Sequence, residues 1–579
     1  MIAKSKISRI TLSASLLAFI AFVAYVLHIN QEVLYTAHDR SEFLIGVDYF
    51  QSLMSKPFGL IQYVGAWLTQ FFYYPALGAA MLVGIWVLIF LVGKKAFGLR
   101  GGAVALMLLP IACLLTSIVD MGYWIYMYTI RGYWFSQSVG YLIMLLLLWI
   151  ARNTPRQWHL GWYLLGVCLY PILGWFSLLF VVCLVFSDRL SLRELLGLIL
   201  LLFTAPIWQE ILYTGTKPEL VTMAGLPRFI TPSDKTDSLS LPFWIMGAIS
   251  ILIPLCGKYL TKWYVPVLST IAGIVFTCSL MYQDQNYIDE MRITRYAEED
   301  NWEEVLNIAE SNKKPTMAII MLRHVALMHQ GGLLERAFKM ENSIADMYNP
   351  DSVHVSFLEI AAPIAYYNYG LINEGFRLSF ECAEQAGFSP CYLKKLARCA
   401  YANGEMPLVN RYVAQLHGHP FYKDWQPAAV NENIKELHNA YANELTGVEN
   451  SFNYLVNSVS LWYESDSRVA AEQALFFAMF RCDSKRFWNS LRAFVKTHMD
   501  ETFPTHAQEA YILYMDKAPE EKRMMIPVSQ EIYDRYKSFW STLEDLIMNG
   551  VSPKDVPAMM YNDFGDTYWY FNVFGRKSQ

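Results

Sequence analysis

Eight long apolar runs fill the first 282 residues of this chain and then stop. They centre on residues 10–26, 77–91, 102–119, 139–150, 158–186, 195–212, 242–255 and 265–281. Spanning the roughly 30 Å apolar core of a bilayer takes about 20 helical residues, and inside lipid every backbone polar group must be bonded internally. That requirement makes the first half a bundle of membrane helices. Composition agrees: 17% of the residues are charged, against about 25% in an average soluble domain. The charges are also divided. Residues 1–282 hold 18 of the 46 Lys and Arg and 11 of the 51 Asp and Glu, a balance of +7; the remainder holds 28 and 40, a balance of −12. An acidic aqueous half argues against nucleic acid as a partner.

Lys and Arg in the short loops set the orientation. Lys4, Lys6 and Arg9 precede the first run, and no small-x-small cleavage pattern follows it, so an uncleaved first span with a cytoplasmic amino terminus is expected. Lys94, Lys95 and Arg100, then Arg152 and Arg156, then Arg189 and Arg193, then Lys258 and Lys262 mark further cytoplasmic loops. This alternation requires the 158–186 run to cross twice, turning at Tyr170-Pro171-Ile172-Leu173-Gly174. A single helix there would be about 42 Å long, more than the apolar core needs. The expectation is nine spans, with eight as the alternative, and a final domain outside the cytoplasm.

Three polar segments then face outward. The first, residues 28–74, carries His38, Asp39, Arg40, Glu42 and Asp48, and its 42–54 and 58–72 stretches have the pattern of helices lying along the membrane surface. The second, 120–135, surrounds Arg131 with Tyr123, Trp124, Tyr126, Tyr128, Tyr133 and Trp134. The third, 213–241, includes Lys217, Glu219, Arg228, Asp234 and Lys235, with Gln209 and Glu210 just before it.

From residue 283 onward, helical patterns of 12–16 residues dominate. Tyr367 recurs as Tyr401 and Gly370 as Gly404, both 34 residues apart. That is the period of tetratricopeptide repeats. The expected architecture is all-α: a membrane bundle over 1–282, tetratricopeptide-like repeats over 283–427, and less regular helices over 428–579 ending in an aromatic tail. The tail holds Tyr568, Trp569, Tyr570, Phe571 and Phe574. Such a segment packs on protein or enters the headgroup region.

The usual chemical signatures are missing. There is no phosphate loop, no H-E-x-x-H, no G-x-S-x-G, no dinucleotide glycine fingerprint and no C-x-x-C. His417-Gly418-His419 offers two imidazoles but reads first as the loop after a helix. The first outer segment is the best place for chemistry. Asp39 or Asp48, at the membrane surface, can act as general base on an acceptor hydroxyl or bind a divalent cation. The bland reading is that Asp39 and Arg40 sit in a hydrated interface and Asp48 caps a surface helix.

Asp48-Tyr49-Phe50, Pro57-Phe58-Gly59-Leu60 and Leu68-Thr69-Gln70-Phe71-Phe72-Tyr73-Tyr74-Pro75, with Gln508-Glu509-Ala510 and Phe564-Gly565-Asp566-Thr567-Tyr568-Trp569-Tyr570 near the end, resemble blocks of an uncharacterised family of bacterial polytopic membrane proteins. The resemblance covers the whole chain. It implies a bacterial polytopic membrane protein and no activity; with the orientation read from the basic loops, the expected place is the inner membrane with a periplasmic carboxy-terminal domain. In topology alone the chain also resembles the multi-span C-type glycosyltransferases that use lipid-linked sugars. That likeness implies Asp39 or Asp48 as the catalytic acid, and Glu210 as a second acid at the cavity mouth. Arg40, Arg131 and Arg228 would grip the phosphate of a polyprenyl-phosphate sugar. Tyr123, Trp124 and Trp134 would flank sugar or prenyl chain, though an interfacial aromatic belt is the favoured explanation of them. Two other classes stay open. One is a non-catalytic membrane-anchored scaffold that binds a protein partner on its repeats. The other is a transporter of a lipid-linked glycan.

Overall fold

The structure, a computed structural model, describes residues 2–187, 192–226, 239–257, 259–339, 342, 358–441, 466–499, 502–515 and 526–575. Arg189, Arg228, Asp234, Lys235 and Lys258 lie outside the described residues. Every described element is a helix. The chain divides into two compact units. The first joins residues 1–284 to two short later segments, 386–391 and 414–425; the second holds the rest.

In the first unit, α1 (Ile2–Ile29) is followed by α2 (Gln31–Arg40), α3 (Val47–Met54) and α4 (Gly59–Thr69), then α5 (Pro75–Ala96). A 3-10 turn over Gly101–Met107 runs into α6 (Leu108–Val119), and α7 (Tyr133–Arg152) follows. Next come α8 (His159–Cys168), α9 (Tyr170–Leu173), α10 (Trp175–Ser187), α11 (Leu192–Ile211), α12 (Pro218–Thr222), α13 (Leu241–Cys256) and α14 (Val265–Leu280).

Five of these segments are long and apolar enough to cross a membrane: Arg9–Ile29, Pro75–Ala96, Gly101–Val119, Tyr133–Arg152 and Glu194–Ile211. Trp175–Ser187 and Leu241–Cys256 are shorter apolar helices. Burial sorts them. The Gly101–Val119 window is 89% buried, so it is central; the Glu194–Ile211 window is 17% buried, so it lies at the edge of the bundle with much apolar surface uncovered. Around the centre, α6 packs on α13 and α14, and α7 packs on α4, α5 and α10.

The basic loops gather at one end of this unit. Arg152 donates to the carbonyl of Ala96 (2.5 Å), and the Gly102 N–H donates to that of Thr261 (3.3 Å). The Lys95 ammonium lies over the Trp149 ring at 4.8 Å. Arg156 pairs with the buried Glu194 at 2.9 Å. The opposite end is tied by other contacts. Tyr282 N–H donates to Val119 (2.9 Å), Phe58 N–H to Pro171 (2.8 Å) and Trp175 N–H to Ala224 (2.8 Å). There α4 crosses α7 closely: a Cβ on Gly65 would lie 2.4 Å from the Gly132 carbonyl, and one on Gly132 2.2 Å from that of Gln62.

The 158–186 run does break within the expected turn. Gly174, at φ 54° and ψ −134°, separates α8 and α9 from α10. This backbone conformation suits glycine alone, and a Cβ would also meet the Ala224 carbonyl at 2.3 Å. The α8 and α10 helices have 10 and 13 residues, so each is shorter than an ordinary span.

In the second unit, the helices Gln285–Glu298, Trp302–Ser311 and Met317–Gln330 pack in succession. Gly370 and Gly404, at φ 80° and 73°, follow the helices Leu358–Asn368 and Pro390–Ala402 and precede Ile372–Ala386 and Met406–His417. Ile372, Cys399, Val430 and Ile434 form one apolar cluster across these helices. Glu298 is held by Lys394 (2.9 Å) and by Lys395. Burial alone would raise the pKa of Glu298, but the two ammonium groups outweigh it and hold the carboxyl down at about 2.

The aromatic tail packs inward. Trp569 joins Phe539, Leu543, Val556, Met560 and Phe564 in a second apolar cluster. The Tyr568 N–H donates to Glu509 Oε2 (2.7 Å), and the same oxygen lies 2.9 Å from His506 Nδ1. The two closing sequence blocks, around Glu509 and around Tyr568, therefore meet in one buried network.

Candidate functional site

The candidate site belongs to the first unit and starts where α1 ends. His38, Asp39, Arg40, Ser41 and Glu42 are five consecutive polar residues, and all are buried. Nothing in local propensity buries such a run. It closes α2, which packs on α5, on the 3-10 turn Gln70–Tyr73 and on the 3-10 turn Ile125–Thr129. Burying charged side chains is costly unless they are paired. Glu42 pairs with Arg131 at 2.5 Å and also accepts from the Phe388 N–H (3.2 Å).

Arg131 is further fixed by its position over the Tyr49 ring, 5.4 Å from the centroid. The Tyr49 hydroxyl donates to the Glu42 carbonyl (2.8 Å). Burial pushes the Tyr49 phenol well above its ordinary range, against the opposing pull of Arg131. The phenol is therefore a permanent donor. Gly387 packs directly against Glu42, where a Cβ would lie 2.9 Å from the carboxylate. The 28–74, 120–135 and 386–391 segments thus meet on one carboxylate.

His38 sits in an aromatic setting. Its Nε2 lies 3.2 Å from the Tyr422 hydroxyl, its ring stacks on Tyr422 at 5.6 Å and the Tyr73 ring meets it edge-on at 5.5 Å. Beside it, Gln70 donates through Nε2 to the Ala66 carbonyl (3.2 Å). That leaves its Oε1 to accept from His419 Nδ1 at 3.2 Å. Burial pushes His419 down to about 4, so the ring is neutral near pH 7. His417 instead donates through Nε2 to the Trp425 carbonyl (2.9 Å). The two imidazoles of the His-Gly-His loop are each held in a hydrogen bond to a different partner.

The other candidates fall in varied settings. Asp48 is exposed in the first turn of α3, where a carboxylate complements the helix dipole. Glu210 is exposed at the end of α11, while its neighbour Gln209 donates to the Tyr213 (2.7 Å) and Thr216 (2.9 Å) carbonyls. Tyr123 and Trp124 are half-buried, with the Tyr123 ring edge-on to Tyr282 at 6.0 Å. Trp134 is buried against Tyr128 and Phe72, at 5.2 and 6.3 Å. The structure thus brings Arg131 to the buried polar run but gives it Glu42 as partner. The sequence displayed His38 and Glu42 in the polar run and His419 in the His-Gly-His loop, but not the contacts they make; Gln70 carried no chemical signal of its own.

These features define a class: an all-helical protein with several helices able to cross a membrane and a buried polar cluster at one end of the bundle. The chain belongs to a family of unknown function (DUF6057), which matches residues 5–575. No curated protein and no solved structure matches it.

Proposed function

We propose that this protein is a nine-span bacterial inner-membrane enzyme of the C-type glycosyltransferase kind, transferring a sugar from a polyprenyl-phosphate carrier on the outer face. The observation that carries this reading is the buried run His38–Glu42, which closes the helix following the first span. A fold rarely keeps several charged side chains out of water unless they serve chemistry or a tightly defined contact. Asp39 is the general base: it takes the proton of an acceptor hydroxyl as that oxygen attacks the anomeric carbon. The carbon–oxygen bond to phosphate breaks, and polyprenyl phosphate leaves with the bonding electrons. In this reading Arg40 and the partly exposed Arg131 hold the leaving phosphate, with a divalent cation as the alternative neutraliser; Arg228, expected from the sequence to join them, lies outside the described residues. Asp48, being exposed, is a helix-start residue in this account.

Nine crossings are supported by the break at Gly174. The hydroxyl of Tyr170, just before it, donates to the Val221 carbonyl, at the end away from the basic loops. A tetratricopeptide-like second unit is supported by the 34-residue recurrence together with the left-handed Gly370 and Gly404. That same observation favours the second reading, a membrane-anchored scaffold whose repeats bind a protein partner. The experiment separating them is a transfer assay on purified protein in lipid nanodiscs with a polyprenyl-phosphate hexose. Asp39→Asn is expected to lower turnover by about 100-fold or more, the range of a lost general base, and Asp48→Asn by less than about threefold. Equal activity in Asp39→Asn and wild type would overturn the enzyme reading.

A further inference from the structure

At the end of the first unit away from the basic loops, several buried side-chain atoms have no hydrogen-bond partner among the described residues. They include Trp134 Nε1, Gln137 Oε1 and Trp175 Nε1. These three residues are 2%, 5% and 7% exposed, so bulk water does not solvate them. Leaving such an atom unbonded is destabilising, and a native fold carries few without cause.

Two of the three residues are tied to one turn. Gln137 donates through Nε2 to the Gly225 carbonyl (2.6 Å), and the backbone N–H of Trp175 donates to the adjoining Ala224 carbonyl (2.8 Å). The α10 helix that Trp175 begins packs on α7, with Phe176 against Gly140. Trp134 stands one helical turn from Gln137 on the same helix. The set is one amide acceptor and two indole donors. None of the three is charged, and both donors come with an aromatic body.

We infer that Gln137, Trp175 and Trp134 form a binding site for the hydroxyls of an uncharged polyol, the sugar of a lipid-linked saccharide. Hydroxyls both donate and accept, so they match a mixed set of donors and acceptors. A phosphate would find only the two indole N–H groups and an opposed amide oxygen. This inference rests on the glycosyltransfer reading for the identity of the sugar, and it adds the residues that would select it.

Binding decides the matter without turnover. Trp134→Phe and Trp175→Phe keep an aromatic ring and remove the N–H. Affinity is measured in nanodiscs for polyprenyl-phosphate hexose and for polyprenyl phosphate without sugar, with thermal unfolding as the check on folding. Each variant is expected to bind the hexose lipid about fivefold more weakly, as for one lost hydrogen bond, and the sugar-free lipid unchanged. The inference is overturned if both variants bind both lipids as wild type does, which would mean that these atoms meet only water. Equal weakening for both lipids overturns it as well. Hexose-selective binding by a wild type that shows no transfer would sink the enzyme reading and leave the site standing.

Discussion

At the scale of single residues, the Glu42–Arg131 pair shows what buries the polar run. Glu42 is nearly enclosed, and the Arg131 side chain is 34% exposed. Removing one partner leaves a charge in a poor environment. Losses of 3–5 kcal/mol are typical for fully buried pairs. With Arg131 partly screened by solvent, Arg131→Met is expected to cost about 1–3 kcal/mol, read as a fall in the thermal midpoint of the detergent-solubilised protein. A midpoint within 1 °C of wild type would show that the pair does not tie the segments, since about 1 kcal/mol moves a midpoint by a few degrees.

His419 adds a pH dependence. Its folded pKa of about 4 lies below its ordinary value, so unfolded chains bind the proton first as pH falls. Stability from this group is full above about pH 6.5 and is lost progressively down to about pH 4. Protection factors in residues 414–425, with the intrinsic exchange rate corrected at each pH, should therefore fall between pH 7 and 5, and His419→Gln should flatten that change. Unchanged protection factors in wild type would contradict the neutral, buried ring. Of all this the sequence displayed the polar run and the histidine loop. It could not display their partners, because Glu42 meets Arg131 and Gln70 meets His419 only after distant segments have folded together.

At the scale of elements, the legible part was periodic and the illegible part depended on tertiary contact. Apolar runs located α1, α5, α6, α7 and α11, because a membrane helix must be apolar along its whole length. The break inside 158–186 was legible from Pro171 and Gly174 together with the run's excess length. The close crossing of α4 and α7 was not, because nothing local marks Gly65 and Gly132 as facing one another. Gly174→Ala adds a Cβ at 2.3 Å from the Ala224 carbonyl and forces a left-handed backbone on alanine. The loss should be at least about 1–2 kcal/mol, and the Trp175 N–H to Ala224 bond should open. Slow wild-type-like exchange of the Trp175 amide in Gly174→Ala would contradict the packing described.

At the scale of the whole molecule, the charge arithmetic acquires a physical meaning. Lys94, Lys95, Arg100, Arg152, Arg156 and Lys262 lie in or beside loops that gather at one end of the first unit, while the buried polar run and the unpartnered indoles lie at the other. In the orientation proposed above, positive charge stays on the cytoplasmic side and the proposed site faces outward. On that proposal the acidic second unit is expected outside, with an odd number of crossings. The side of the membrane occupied by the carboxy terminus tests this most directly. In intact cells, a reporter enzyme that works only outside the cytoplasm, fused after residue 575, should be active, and the same reporter fused after residue 156 should be silent. A silent carboxy-terminal fusion that is made in full would contradict nine crossings, and with them an outward-facing second unit.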